Sequence, residues 1–350
     1  MAMRKLVFIT QVVDPADPNL GATRAKIAAL ARRLDEVVVV CDRGIEGVLP
    51  DNCRLRVFGA RTRPQRAVRY VGAIVSELRE PPVAVVGHMV PLYTIVAAPF
   101  VRLRRVPLVL WYTHWKGHAV LRIAMLLCTH LTSLDVRSFP LRSRKLYGIG
   151  HGIDLNEFPC QSVVPASGRA FRVMSLGRYS PPKKLDEMIE GVRLARSRGV
   201  DARIDLYGTA GSEQEAAYKR ALEELVAQPE YSEFASVGGP ILRTELPPVY
   251  AGADVVASDF ISTDKIVLEA CASCRPVIAS HPAFDTLFAG IEPSLAFERG
   301  RPETFADRVE ALAALSDEQR HAIGETLRER VRTQHSVETW ADAILGLVER

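Results

Sequence analysis

Short apolar, β-branched runs alternate along this chain with longer stretches in which apolar residues return every third or fourth position. In the first half the runs fall at 6–10, 37–41, 55–58, 83–86 and 108–112, and the helical spacing is clearest at 22–34 and 66–78. The second half repeats the scheme, with runs at 171–176, 203–207, 234–237, 255–257 and 276–279 and helical stretches at 185–197, 213–227, 265–273 and 302–315. Strands separated by helices predict an α/β chain of doubly wound, mostly parallel sheets. The polar segment 161–168 is the expected linker, and an amphipathic stretch at 337–348 closes the chain. The expected domains are therefore 1–165 and 166–332, with a terminal helix in 333–350 packing back on the first.

Length agrees with two domains, since 350 residues exceed what one core usually supports. An apolar content of 48% with 25% charge is that of a soluble globular protein, and a net charge of +4 gives no reason to expect a nucleic-acid partner. Six cysteines in so long a chain are too sparse for a disulfide framework, which points to a reducing cytoplasm. The N-terminus opens like a signal peptide, with Arg4 and Lys5 before an apolar run. Gln11 interrupts that run, however, and Asp14-Pro15-Ala16-Asp17 stands where a small-residue cleavage site belongs, so a buried strand is expected. The apolar stretch 89–101 contains Pro91 and Pro99 and is short for a membrane span. Arg61, Arg63, Arg66 and Arg69 lie beside Tyr70, Val71 and Ile74, and Arg102, Arg104 and Arg105 follow the apolar 96–101. Two readings stand for these: peripheral contact with the inner face of an anionic membrane, or solvated helix faces rich in arginine.

In open α/β sheets ligands sit beyond the carboxyl ends of the strands. The most informative such loop runs from Gly177 to Asp186. An apolar strand stops at a glycine, and Arg178 and Lys183 flank a turn stiffened by Pro181 and Pro182 that opens a helix. A helix N-terminus with its free N–H groups, an arginine fork and a lysine point charge together suit a diphosphate. Only eight of the 45 cationic residues are lysines, and Lys183 and Lys184 are two of them.

A second loop, Ser262-Thr263-Asp264-Lys265, starts the helical stretch that carries Glu269. Ser262, Thr263 or Asp264 is the expected cap. Glu269 is open to two readings, a carboxylate accepting hydrogen bonds from a ribose diol or an intrahelical pair with Lys265. Cys271 and Cys274 have C-x-x-C spacing without the further ligands a zinc set needs, so they are read as structural cysteines rather than as a redox or metal site. His88 ends an apolar strand at a ligand loop and is a candidate acceptor contact, the alternative being a core or surface histidine.

The second half also resembles the retaining glycosyltransferases of family four, whose GT-B fold sets two Rossmann-like domains facing a cleft. The blocks that carry the resemblance come in order. They are Gly177-Arg178-Tyr179-Ser180-Pro181-Pro182-Lys183, Leu206-Tyr207-Gly208, Gly239-Pro240-Ile241 with Glu245-Leu246-Pro247, Tyr250-Ala251-Gly252-Ala253-Asp254-Val255, and Leu268-Glu269-Ala270 leading to Pro276-Val277-Ile278. Tyr112-Thr113-His114 and Gly150-His151-Gly152-Ile153-Asp154 with Phe158 are similar to elements of the family's first domain. The resemblance implies a nucleotide-diphosphate sugar as donor, with UDP or GDP as the nucleotide, and a glycan or lipid-linked acceptor in polysaccharide biosynthesis. Arg178 and Lys183 would stabilise the departing diphosphate in place of a metal. Gly21 and Gly177 would lie near the phosphates, Ile241 would meet the base through its backbone, Glu269 would hold the ribose, and His114 would approach the transferred sugar. No cofactor or metal is implied.

One position departs from the family. Another glutamate usually stands eight places before the one matching Glu269, contacting the donor sugar, and here that place is Ile261. The glycines of the following turn are replaced by Ser262-Thr263-Asp264-Lys265, so that Asp264 or Lys265 takes over contact with sugar or phosphates, or Asp264 is only a cap. The rival functions are a catalytically impaired nucleotide-sugar-binding partner subunit and a GT-B nucleotide-sugar epimerase.

Overall fold

The computed structural model describes residues 3–17, 20–160 and 168–349, so nearly all of the expected linker at 161–168 lies outside the described residues. The chain divides into two compact units, Met1–Asp154 with Gln334–Arg350, and Leu155–Thr333. The division thus falls ahead of the boundary expected at 165/166. Residues 155–160 belong to unit 2, where Glu157 is bonded to Arg243 and Cys160 to Cys274.

Unit 1 begins with β1 (Lys5–Val13), α1 (Thr23–Ala31), β2 (Glu36–Gly44), β3 (Cys53–Val57), α2 (Arg63–Glu77) and β4 (Ala84–His88). It continues with α3 (Pro91–Leu103), β5 (Leu108–Trp111), α4 (Ala119–Leu127), β6 (His130–Ser133) and β7 (Leu146–Gly148). The strands form one parallel sheet in the order β3-β2-β1-β4-β5-β6-β7. One face of the sheet packs against α1 through Ile27 and Leu30, and the other against α2, α3 and α4 through Tyr70, Ile74, Ala97, Val101, Leu121 and Ala124. Strands buried on both faces read as continuous Val, Ile and Leu runs, which is why the sequence marks β1, β2, β4 and β5 plainly; β6 (HLTS) and β7 (LYG) are two strands the sequence pattern does not mark.

Unit 2 comprises β8 (Phe171–Leu176), α5 (Leu185–Ser197), β9 (Ala202–Tyr207), α6 (Glu213–Val226), β10 (Ala235–Val237) and α7 (Leu246–Ala251). After these come β11 (Val255–Ser258), α8 (Lys265–Ala272), β12 (Val277–Ala279), α9 (Asp285–Phe288), α10 (Pro302–Ala313) and α11 (Asp317–Gln334). Its parallel sheet has the order β10-β9-β8-β11-β12. The last helix, α12 (Val337–Val348), belongs to unit 1, where Trp340, Ala341 and Ile344 join the core beside α1 and Arg33 pairs with Glu338 and Asp342.

The apolar pattern does not announce α3 and α4. Pro91 occupies the first turn of α3, where a missing N–H costs nothing, and Pro99 sits on its exposed side. Helix α4 is apolar on nearly every side and shows no stripe; it is fixed at one end by His118, whose Nδ1 accepts from the Leu121 N–H. Two further expectations need correction. Tyr70 and Ile74 are core residues, and Ala97, Ala98 and Val101 are buried too, so the arginines of α2 do not flank an apolar surface made by those side chains. The cysteines are not all thiols: Cys160 and Cys274 form a disulfide, and Cys271 stays a buried thiol whose pKa burial pushes up. No helix of the described residues is long and apolar enough to cross a membrane.

Candidate active site

Each sheet changes direction of winding between two neighbouring strands, β1 and β4 in unit 1 and β8 and β11 in unit 2. Crevices at such switch points are where doubly wound sheets take ligands. In unit 2 the crevice is lined by the loop after β8 and the loop between β11 and α8.

The loop after β8 is tied down before it reaches the crevice. The N–H of Gly177 donates to Tyr207 O and that of Tyr179 to Thr209 O, both at 2.9 Å, while the Tyr179 hydroxyl donates to Leu206 O and Gly238 O. Gly177 has φ of 126°, and a Cβ there would come within 2.4 Å of Lys183 Nζ, so glycine is required both for the backbone and for the room the ammonium takes. Gly208 lies against the Gly177 carbonyl, which a Cβ would meet at 1.6 Å.

Lys183 is buried, at 6% exposure. Its Nζ donates to Leu176 O at 2.8 Å and to Asp264 Oδ2 at 2.6 Å. The same Asp264 oxygen accepts from Ser258 Oγ at 3.0 Å. Residues predicted from two separate motifs are therefore brought together here. Asp264 occupies the N-cap place of α8, yet its side chain caps nothing and is spent on Lys183. That corrects the expected cap. Ser262 does not cap either; its Oγ is buried without a hydrogen-bond partner, and Thr263 follows it half-buried. Ile261 is exposed, at 46%.

The N–H groups at the start of α5, which the sequence leads one to expect free, are engaged. The Tyr218 hydroxyl accepts from the Leu185 N–H at 2.8 Å, and Asp186 and Glu187 fill the first turn, complementing the helix dipole with the chain's own carboxylates. Lys184 precedes it with φ of 48°, a left-handed conformation that explains why a glycine would suit that place, and pairs with Glu187. Arg178 is half exposed and lies 3.3 Å from Glu215, which also accepts from the Gly211 N–H.

Glu269 is buried one helical turn into α8. Its Oε1 takes Lys265 Nζ at 2.7 Å and Arg243 Nη1 at 3.0 Å, while Oε2 takes the Tyr250 hydroxyl at 3.3 Å. Burial raises the carboxyl's pKa, but Lys265 and Arg243 outweigh it and hold the group below the usual carboxylate range. The intrahelical pair with Lys265 is thus present, extended by an arginine the sequence reading missed. Arg243 lies just beyond Ile241, which is half-buried, and also donates from Nε to Glu157 Oε2 at 2.9 Å. Its only sequence signal is its place two residues after Ile241 in a ligand loop. Asp259 is a second omission: it is buried, bonded to Ser280 Oγ and the Gly300 N–H, and its pKa is raised by burial.

The remaining predicted residues lie in unit 1. Gly21 is buried in the loop after β1, its N–H donating to Asp17 O at 2.9 Å. His114 follows β5 in a loop; its Nδ1 accepts from the Lys116 N–H, and its ring lies parallel to that of Trp115. His88 is in the core. Its ring stacks on Trp111 at 4.7 Å and 3°, neither ring nitrogen has a hydrogen-bond partner, and burial, with Lys26 nearby, depresses its pKa far below the usual value. Lys26 is itself buried over the Trp111 ring at 4.6 Å. Among the described residues no group of three or more His, Cys, Asp or Glu is arranged to hold a metal ion.

Residues 170–314 match the family described as Glycosyl transferases group 1. Mannosylfructose-phosphate synthase of Agrobacterium fabrum is 27% identical over 198 residues, 52% of this chain and 41% of that protein. The GtfA subunit of a UDP-N-acetylglucosamine–peptide N-acetylglucosaminyltransferase of Streptococcus parasanguinis is 26% identical over 206 residues, 55% of this chain and 38% of its own. The chain therefore matches about two fifths of the length of these relatives. Among solved structures, Anabaena HepE in complex with UDP superposes with a TM-score of 0.76 at 17% identity, covering 99% of this chain and 100% of that one. The sucrose-phosphate synthase of Thermosynechococcus elongatus gives 0.71 at 17%, covering 99% and 98%. The two parallel α/β units thus have the GT-B fold, and the match to the glycosyl transferase group 1 family lies within unit 2.

Proposed function

We propose that this chain is a retaining glycosyltransferase that moves a sugar from a UDP- or GDP-sugar to a glycan or lipid-linked acceptor without a metal. The observation that carries the reading is Lys183, a buried ammonium delivered to the switch point of unit 2 by a loop that glycine alone permits. A nucleoside-diphosphate donor is supported by the HepE structures with UDP and UDP-glucose and by the UDP-N-acetylglucosamine named for the streptococcal relative.

In this reading the donor diphosphate replaces Asp264 as the partner of Lys183. The ammonium then lies where negative charge grows as the bond from the anomeric carbon to phosphate breaks, and fixed charges of this kind lower such barriers strongly. Arg178 exchanges Glu215 for a second phosphate oxygen. Glu269 offers Oε2, engaged only at 3.3 Å by Tyr250, to a ribose hydroxyl, with Arg243 and Lys265 keeping the carboxylate ionised. The acceptor hydroxyl attacks on the face the diphosphate leaves and passes its proton to a diphosphate oxygen. His114 of unit 1 is read as the acceptor-side histidine.

A second reading, a nucleotide-sugar-binding subunit without turnover, is favoured by Ile261 standing where the sugar-contacting acid is usual and by Asp264 occupying Lys183. Incubating purified protein with UDP- and GDP-sugars and following free nucleoside diphosphate and the anomer of the released sugar separates them. Slow release with retained configuration is expected. Binding without release favours the second reading, and an altered sugar still joined to its nucleotide would mean an epimerase.

A further inference from the structure

Helices α3 and α4 carry the two most exposed large aliphatic side chains of the described residues, Leu103 and Leu126. They pack against each other on one face of the sheet, and both send small residues inward, Ala97, Ala98 and Ala124. The outward side of α3 presents Leu92, Pro99 and Leu103 at helical spacing, with Leu92 60% and Leu103 81% exposed. That of α4 presents Ile123 and Leu126, 49% and 73% exposed. Both helices cross between parallel strands, so they run in the same direction, and Leu103 and Leu126 stand at the same end of the layer.

The charge around these side chains is mainly of one sign, although exposed Glu80 follows Arg79, whose carbonyl accepts from Arg104 at 2.7 Å. Between residues 81 and 153 there are nine cations, Arg102, Arg104, Arg105, Lys116, Arg122, Arg137, Arg142, Arg144 and Lys145, and one acid, Asp135. That acid is already bonded to Arg137. Arg102, Arg104 and Arg105 surround Leu103, and Arg122 precedes Ile123, all of them exposed. Lys145 donates to the carbonyls of Leu126 and Cys128 at the end of α4 and so adds its charge there.

We propose that the outer face of α3 and α4 docks on an anionic phospholipid bilayer. Exposed aliphatics ringed by arginines insert among the headgroups while the cations meet lipid phosphates, the two contributions that hold peripheral proteins on membranes. An apolar patch of this kind on a soluble domain marks an interaction surface. Its charge selects the partner: a second copy would set cation against cation, whereas an anionic surface complements the patch along its length. The site keeps Arg102, Arg104 and Arg105 of the basic residues first indicated and leaves out the α2 arginines, because Tyr70 and Ile74 are in the core. The inference is independent of the donor chemistry of unit 2.

The test is co-sedimentation of the full chain with vesicles of phosphatidylcholine, alone or mixed with phosphatidylglycerol. The expected result is binding to the mixed vesicles only, weakened by salt, and reduced tenfold or more in Leu103→Glu/Leu126→Glu. Both substitutions are at exposed positions, and an unchanged melting temperature checks the fold. Absence of binding to the mixed vesicles at low salt, equal binding to phosphatidylcholine alone, or unaltered binding of the variant would each overturn the proposal. So would a dimer in solution that the variant abolishes while vesicles bind neither protein.

Discussion

Beyond the ends of its strands unit 2 stores charge in pairs, whereas unit 1 stores rings. Lys183 with Asp264, Arg243 with Glu269, and Arg178 with Glu215 each join groups from different elements of unit 2, and Lys265 adds an intrahelical partner to Glu269. At the corresponding ends of β4 and β5 in unit 1, His88 lies flat on Trp111, and Lys26 sits over the same indole. Paired charges are exchangeable: a diphosphate or a ribose can take the place of one partner while the other stays. Stacked, desolvated rings have little to exchange. The difference agrees with the diphosphate site proposed for unit 2, where the match to the glycosyl transferase group 1 family lies.

The largest effect that sharpens this contrast is expected from Lys183. Lys183→Met strands the Asp264 carboxylate in a nearly buried place, which should cost about 3 kcal/mol of stability. The double variant with Asp264→Leu should recover most of that stability in urea titrations. It should still turn over donor about 100-fold more slowly than wild type, because the charge aimed at the leaving group is gone. Recovery of activity along with stability would make the pair purely structural.

Glu269→Gln comes next, with about 2 kcal/mol lost from the charged hydrogen bonds to Arg243 and Lys265. Its pH dependence has a definite sign. The carboxyl's folded pKa lies below its unfolded one, so its contribution is full above the unfolded value and disappears as the pH falls through the folded value. Wild type should therefore lose stability on acidification from about pH 5 downward, and the variant should lose less over the same range. Parallel urea midpoints for the two proteins would contradict the network.

The smallest effect is expected in unit 1. His88→Phe replaces a neutral, unbonded ring by one of similar size and should change stability by less than about 1.5 kcal/mol while leaving donor turnover intact. A large loss of transfer with unchanged donor hydrolysis would restore His88 as an acceptor contact and blur the contrast between the units.

How much of this the sequence discloses follows the same divide. Buried parallel strands leave continuous apolar runs, so the sheet of unit 2 and the first five strands of unit 1 are legible; β6 (HLTS) and β7 (LYG) are short and carry no such run, and α3 and α4 are apolar on too many sides to show a stripe. Gly177, Lys183 and Glu269 are legible because a loop needing glycine and an acid in an apolar helix both violate the local pattern. Their partners are not. Asp264 looks like a cap, Arg243 like one more solvated arginine, and Tyr218 like a helix-surface tyrosine until it takes the N–H of Leu185. Pairing across 81 residues between Lys183 and Asp264, or across 114 between Cys160 and Cys274, depends on the fold of the whole unit and leaves no trace in either residue's neighbourhood.

The central claim is that the Lys183 crevice takes the diphosphate of a nucleotide-sugar. A thermal-shift screen of UDP-, GDP-, ADP- and dTDP-sugars tests it directly, since a ligand of the native state raises the melting temperature by mass action. At least one UDP- or GDP-sugar should raise the melting temperature of the wild type and leave that of Lys183→Met/Asp264→Leu nearly unmoved. An equal shift in both proteins, or no shift of the wild type with any of the four donors, would contradict it.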